Sequence, residues 1–215
     1  MSSISTLLAG LCIAATTVLV VAERKNARAA RNCAKLVASS AFVALSLELG
    51  ATHSIYGKLL LTALLFSWVG DILLLGADAW FLAGIASFLL AHVAFAAAFA
   101  TRLLSAPRLA VGGVFMTIVA ALVLPWLWPH LSRFYKIAVT AYVAALSVMA
   151  TLAIGASVST TIALPIGALA FAASNISVAR DRFVKPGFVN KMWGLPVYYA
   201  AQLLITLSLA SSGAQ

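Results

Sequence analysis

The sequence predicts an all-α, polytopic membrane bundle of about eight transmembrane helices, and three observations lead there. Of its 215 residues, 64% are hydrophobic and 9% charged, against roughly 45–50% and 25% in soluble domains. The apolar residues fall into runs of membrane length, a span needing about 20 residues. The basic residues fall mainly in the short segments between those runs. At this length the chain reads as a single transmembrane domain over residues 1–215, with no room for a soluble one.

Apolar runs bounded by charged or turn-forming residues place the spans at 4–22, 33–51, 56–76, 80–100, 109–128, 134–155, 161–180 and 194–211. The first lacks the basic leader of a secretory signal, and its positive charges (Arg24, Lys25, Arg28, Arg31) follow the apolar run. That order belongs to a retained span with its N-terminus outside. The second opens near Lys35, and the third and fourth flank Gly76 to Asp78. The fifth and sixth flank Arg133. The seventh is the least apolar, carrying Pro165, Ser174, Asn175 and Ser177, and is credible only when neighbouring helices surround it. The eighth holds Tyr198 and Gln202. Glycines through the spans (Gly70, Gly84, Gly112, Gly167) suit close helix packing and form no nucleotide-binding loop.

Charge sets an expected orientation. The connections after spans one, three, five and seven hold 11 of the 14 Lys and Arg residues, and the other face holds Lys58, Arg102 and Arg108. The positive-inside rule then puts both termini outside, in a cell (inner) membrane, and the odd-numbered connections in the cytoplasm. On that orientation Lys35, Asp71, Tyr142, Asn175, Tyr198 and Gln202 share the cytoplasmic half of the membrane, with His92 nearer the midplane. The net charge of +9 is explained by this asymmetry, so no nucleic-acid partner is expected. Cys12 and Cys33 have neither metal-ligand spacing nor the pattern of a secreted disulfide framework.

Asp71 carries the most information. It is the one acidic residue well inside a span, where a carboxylate costs roughly 2.5–3.5 kcal/mol on insertion scales. It is either neutralised as an interhelical tie or retained as a proton donor or cation stabiliser. His92, in an apolar setting, is either a helix-to-helix hydrogen-bonding group or part of a site. It is no metal ligand by pattern, because His53 and His130 lie in loops or at span ends. Ser174-Asn175 suits interhelical hydrogen bonding, and Tyr142, Tyr198, Tyr199 and Gln202 suit packing or interfacial anchoring. Arg180, Arg182 and Lys185 suit topology or a lipid phosphate.

Taken in order, these residues resemble a known family. Gly70-Asp71-Ile72-Leu73-Leu74-Leu75, followed by Phe81, Gly84, Phe88, His92 and Phe99, resembles the most characteristic stretch of the lysoplasmalogenase family of YhhN-like membrane proteins. Gly167 to Phe171, Ser174-Asn175 and Arg182-Phe183 are similar to its second signature, and Tyr198 to Ile205 to its last. Lys35 and Tyr142 to Met149 are looser matches. The resemblance implies an eight-helix enzyme that hydrolyses the vinyl ether bond of a lysophospholipid, giving a fatty aldehyde and glycerophosphocholine or glycerophosphoethanolamine, without a metal or organic cofactor. It implies carboxylates at Asp71 and at the position of Asn175. It further suggests His92 and Tyr142 as orienting donors, Lys35 and Arg182 near the phosphate, and Ser174, Tyr198 and Gln202 in substrate binding.

The chain departs from that pattern at Asn175, where the family's signature has Asp. An amide neither donates a proton as an acid nor neutralises a cation with a full charge. Three explanations stay open: an introduced inactivating substitution, a natural homologue with lost or altered activity, or a mechanism in which Asn175 only positions water. The rival expectation is a membrane protein that binds or transports a lipid or amphiphile without cleaving it.

Overall fold

The computed structural model describes residues 2–76, 78–156 and 162–210, and among them eight α-helices and no strand. They are α1 (Ser3–Arg24), α2 (Arg28–Glu48), α3 (Ile55–Leu73), α4 (Phe81–Ala100), α5 (Ala106–Leu127), α6 (Arg133–Gly155), α7 (Ala163–Ala179) and α8 (Phe188–Leu207). The expected start of the seventh span at 161 and end of the eighth at 211 lie outside the described residues.

Local chemistry sets the helix ends. Ser2, Ser54 and Ser132 cap α1, α3 and α6, their hydroxyls accepting from the backbone N–H groups of Ser5, Gly57 and Tyr135. Pro107 stands in the first turn of α5, where its missing N–H costs nothing. Gly50, with φ +79°, closes the α2 end in the left-handed region. After α7 the chain continues through a π-helical turn, Arg180–Val184, and breaks at Pro186-Gly187 before α8.

Among the described residues, six helical segments are long and apolar enough to cross a membrane: α1, α3, α4, α5 with the turn to His130, α6, and α7 with the π-turn to Val184. The seventh span, expected to be the weakest, meets that criterion. Helices α2 and α8 are not among the six. Helix α2 starts five residues before the expected boundary and so includes Arg28 and Arg31 besides Lys35. Helix α8 starts six residues early and includes Asn190 and Lys191. Another boundary moved at α3, which ends at Leu73 and not at 76. Asp71 therefore stands in the last turn of its helix, nearer the end than the sequence suggested, yet is only 3% exposed.

Consecutive helices pair as hairpins, α1 with α2, α3 with α4, α5 with α6 and α7 with α8. Packing of α1 on α8, α2 on α3, α4 on α6 and α6 on α7 closes seven of them into a ring. Helix α5 leans on α6 at the outside, with Gly112, Met116 and Leu127 as its buried residues. The core of the ring is aromatic. Phe171 of α7 meets the rings of Phe88, His92, Phe95 and Tyr198, with centroids 4.9–6.5 Å apart, a spacing that favours edge and tilted contacts.

Candidate active site

A cavity of about 540 Å³ opens into the bundle and is lined by side chains from every helix. Its chemistry is graded. At one end stand Glu23, Arg31, Asp181, Arg182, Asn190 and Lys191; further in come Lys35, Asp71, Tyr142, Asn175 and Tyr198; most of the remainder is apolar, including Phe88, Met116 and Leu146.

Asp71 stands on its wall with three polar partners. Lys35 Nζ lies 3.2 Å from Oδ1. Ser39 Oγ and Tyr198 OH donate to Oδ2 at 2.6 and 2.8 Å. Ser39 and Tyr199 hydroxyls lie 3.1 Å apart, and Tyr199 OH also reaches Lys35 O at 3.5 Å. Spacing explains the convergence. Lys35 and Ser39 are one helical turn apart on α2 and share a face, while Gly70, beside Asp71, lets Phe88 of α4 approach. A Cβ on Gly70 would lie 2.7 Å from the Phe88 ring. One ammonium and two hydroxyl donors thus converge on a single carboxyl group.

Across the cavity, Tyr142 OH donates to Asn175 Oδ1 at 2.7 Å, and Asn175 Nδ2 donates to Phe171 O at 2.9 Å. Ser174 Oγ also donates to Phe171 O, at 2.7 Å. The pair on α6 and α7 is thus polar and neutral where the pair on α2 and α3 is ionic.

The other expected site residues are placed differently. His92 is fully buried behind the wall, its Nδ1 bonded to Phe88 O and its ring 4.9 Å from those of Tyr142 and Phe171. Gln202 is fully buried one turn beyond Tyr198, and its side-chain amide makes no hydrogen bond of normal geometry. Arg182 lines the cavity from the π-turn, its guanidinium 4.2 Å above the Phe81 ring. Asp181 ties the turn to α8 by accepting from Gly187 N and Asn190 Nδ2 at 2.8 and 3.0 Å. Among the described residues no three His, Cys, Asp or Glu side chains gather as a metal site.

Sequence reasoning missed Ser39 and the pair of Glu23 with Lys191, whose Oε2 and Nζ are 3.1 Å apart. The four-residue step from Lys35 was the available signal for Ser39. Glu23 and Lys191 stood beyond the expected span ends, where only the helix extensions reveal that they face each other.

The YhhN family model matches residues 30–209. The bovine lysoplasmalogenase TMEM86A (Bos taurus) is 33% identical over 157 residues, 69% of this chain and 64% of its own length. A lysoplasmalogenase of Mycobacterium bovis is 38% identical over 158 residues, covering 68% of this chain and 58% of its own. The porcine lysoplasmalogenase TMEM86B (Sus scrofa) is 35% identical over 161 residues, 73% and 66% of the two chains. The match thus spans less than two thirds of the length of the bovine and mycobacterial proteins. No solved structure gives a significant match.

Proposed function

Because the chain belongs to the YhhN family, we propose that it is an integral membrane hydrolase that cleaves the vinyl ether bond of lysoplasmalogens. The observation that carries this reading is the Asp71 carboxyl group, held by Lys35, Ser39 and Tyr198 on the wall of an amphipathic cavity. The order of groups along that cavity matches the order in the substrate: charged headgroup, glycerol, vinyl ether, hydrocarbon chain.

Vinyl ether hydrolysis begins with proton transfer to the carbon β to the ether oxygen, forming an oxocarbenium ion. Water adds to that ion, and the resulting hemiacetal collapses to a fatty aldehyde and a glycerol hydroxyl. Asp71 is assigned the proton. Once it has delivered it, the carboxylate left behind is the anion that one ammonium and two hydroxyls already hold, and it faces the cation just formed. Donors arranged for the product of the proton transfer stabilise the transition state more than the ground state. Tyr142 and Asn175 then orient the attacking water. Asn175 supplies no second negative charge, so turnover is expected to run below that of the same protein with a carboxylate there. The cavity is assigned to the cytoplasmic leaflet of the cell membrane by the distribution of Lys and Arg.

Aldehyde release from an alkenyl lysophospholipid tests this. Asp71→Asn is expected to fall to background and Asn175→Asp to exceed the parent protein. Equal, background-level release from all three overturns the proposal. One observation favours a second reading, in which the cavity holds an amphiphile without cleaving it: the amide at 175 leaves the Tyr142 side with no titrating carboxyl group. Mass spectrometry separates the two, since an intact vinyl ether lipid retained over hours supports holding and free aldehyde supports hydrolysis.

A further inference from the structure

Helix α1 contributes Leu19 and Glu23 to the cavity, and both precede residue 30, where the family match begins. Glu23 is therefore a feature of this chain that the family signature does not specify. Among the described residues, three acidic side chains line the cavity: Asp71, Asp181 and Glu23. Asp71 is held by Lys35 and two hydroxyls. Asp181 is committed to the turn before α8. Glu23 has a different kind of partner. Among the described residues its Oε2 is paired with the Lys191 ammonium, whose side chain is 39% exposed while that of Glu23 is 14% exposed. A lysine at that exposure, on a flexible four-carbon stem, is readily displaced. Arg31 lines the same end of the cavity.

We propose that Glu23 selects an ammonium-bearing headgroup at the mouth of the cavity, with Lys191 holding its place when the site is empty. Resting on the lysophospholipid reading above, this names the part of the substrate that the charged end recognises. On entry the headgroup ammonium takes over the Glu23 carboxylate, and the released Lys191 joins Arg31 in facing the phosphate. The exchange conserves charge: one ion pair in the empty site becomes two in the occupied one, with the cation and anion both supplied by a zwitterion. An anionic headgroup without an ammonium leaves Glu23 as an opposing charge, and binds more weakly.

The test uses saturated 1-O-alkyl lysophospholipids of one chain length, which have no vinyl ether to cleave, bearing either ethanolamine or glycerol headgroups. Their binding to the full chain in nanodiscs is measured by displacement of a fluorescent alkyl lysophospholipid. The parent protein is expected to favour the ethanolamine compound by about tenfold, the scale of one hydrogen bond to a charged group. Glu23→Gln is expected to lose that preference, whereas Lys191→Met, which frees the carboxylate, is expected to keep or increase it. A simple tie between α1 and α8 predicts instead that the two variants behave alike, and that outcome overturns the proposal. So does a preference that survives Glu23→Gln. Binding of both compounds without preference by the parent protein removes the headgroup assignment and leaves the lysophospholipid reading standing, whereas binding of neither overturns both.

Discussion

At the scale of single residues, the Lys35–Asp71 pair is both a structural tie and the centre of the proposed chemistry, and these roles separate energetically. Both side chains are largely buried and their charged atoms lie 3.2 Å apart. Breaking a buried pair by removing one partner costs about 3–5 kcal/mol because the survivor is left uncompensated, while replacing both partners can be close to neutral. Lys35→Met is therefore expected to lower the thermal midpoint in detergent markedly, and Lys35→Met with Asp71→Asn to recover most of the loss without recovering aldehyde release. Equal destabilisation by the single and double variants sinks this account. Much of this cluster was legible in the sequence, since a carboxylate inside a span must find a cation and donors, and Lys35 and Tyr198 stood at a similar predicted depth. Ser39 was not legible, because a serine in an apolar helix gives no sign of whether it bonds to its own backbone or across to a neighbour. Ser67 of α3 takes the first option, donating to Ala63 O, and Ser39 takes the second. Tyr142 and Asn175 were placed in the same half of the membrane by the charge-derived orientation, but the contact between them required the fold.

At the scale of elements, the eight runs were readable because each is long, apolar and punctuated by charge or turn residues. Their ends were less so. Arg28 and Arg31 read as loop, yet they form the first turn of α2, since charged residues at a helix end can reach beyond the apolar layer by extending their stems. The apolar Leu74 and Leu75 read as helix, yet they follow the end of α3 in a turn that delivers the chain to α4. Hydropathy reports where a residue is comfortable, and backbone hydrogen bonding decides where the helix stops. Glycines make the packing between elements testable. A Cβ at Gly167 of α7 would lie 2.9 Å from Ile205 Cγ1 and 3.1 Å from Ile205 N on α8, whereas one at Gly10 of α1 would meet nothing within 4 Å. Gly167→Ala is thus expected to destabilise the protein by about 1–3 kcal/mol through overpacking, and Gly10→Ala to be neutral or mildly stabilising through helix propensity. Thermal unfolding of the two variants side by side measures the difference, and equal midpoints would mean that α7 and α8 are not held as closely as described.

At the scale of the whole molecule, the ring of seven helices with α5 outside it gives the cavity a charged end and an apolar interior, and orientation decides which leaflet feeds it. The charged end is built from the last turn of α1, the first turns of α2 and α8 and the π-turn after α7, the same end that carries most of the Lys and Arg. A bundle inserted with that end in the cytoplasm obeys the positive-inside rule by 11 residues to 3, and its cavity then draws on lipid from the inner leaflet. The opposite insertion would leave 11 basic residues on the translocated face. Two exposed positions report the choice: Lys25, between α1 and α2, and Leu103, which is 81% exposed between α4 and α5. In a background with Cys33→Ser, and with Cys12 already buried, a membrane-impermeant maleimide applied to intact cells is expected to label Leu103→Cys and to spare Lys25→Cys until the cells are opened. The reverse pattern would place the charged mouth outside the cell, make the outer leaflet the source of substrate, and show that the fold overrides its own charge asymmetry.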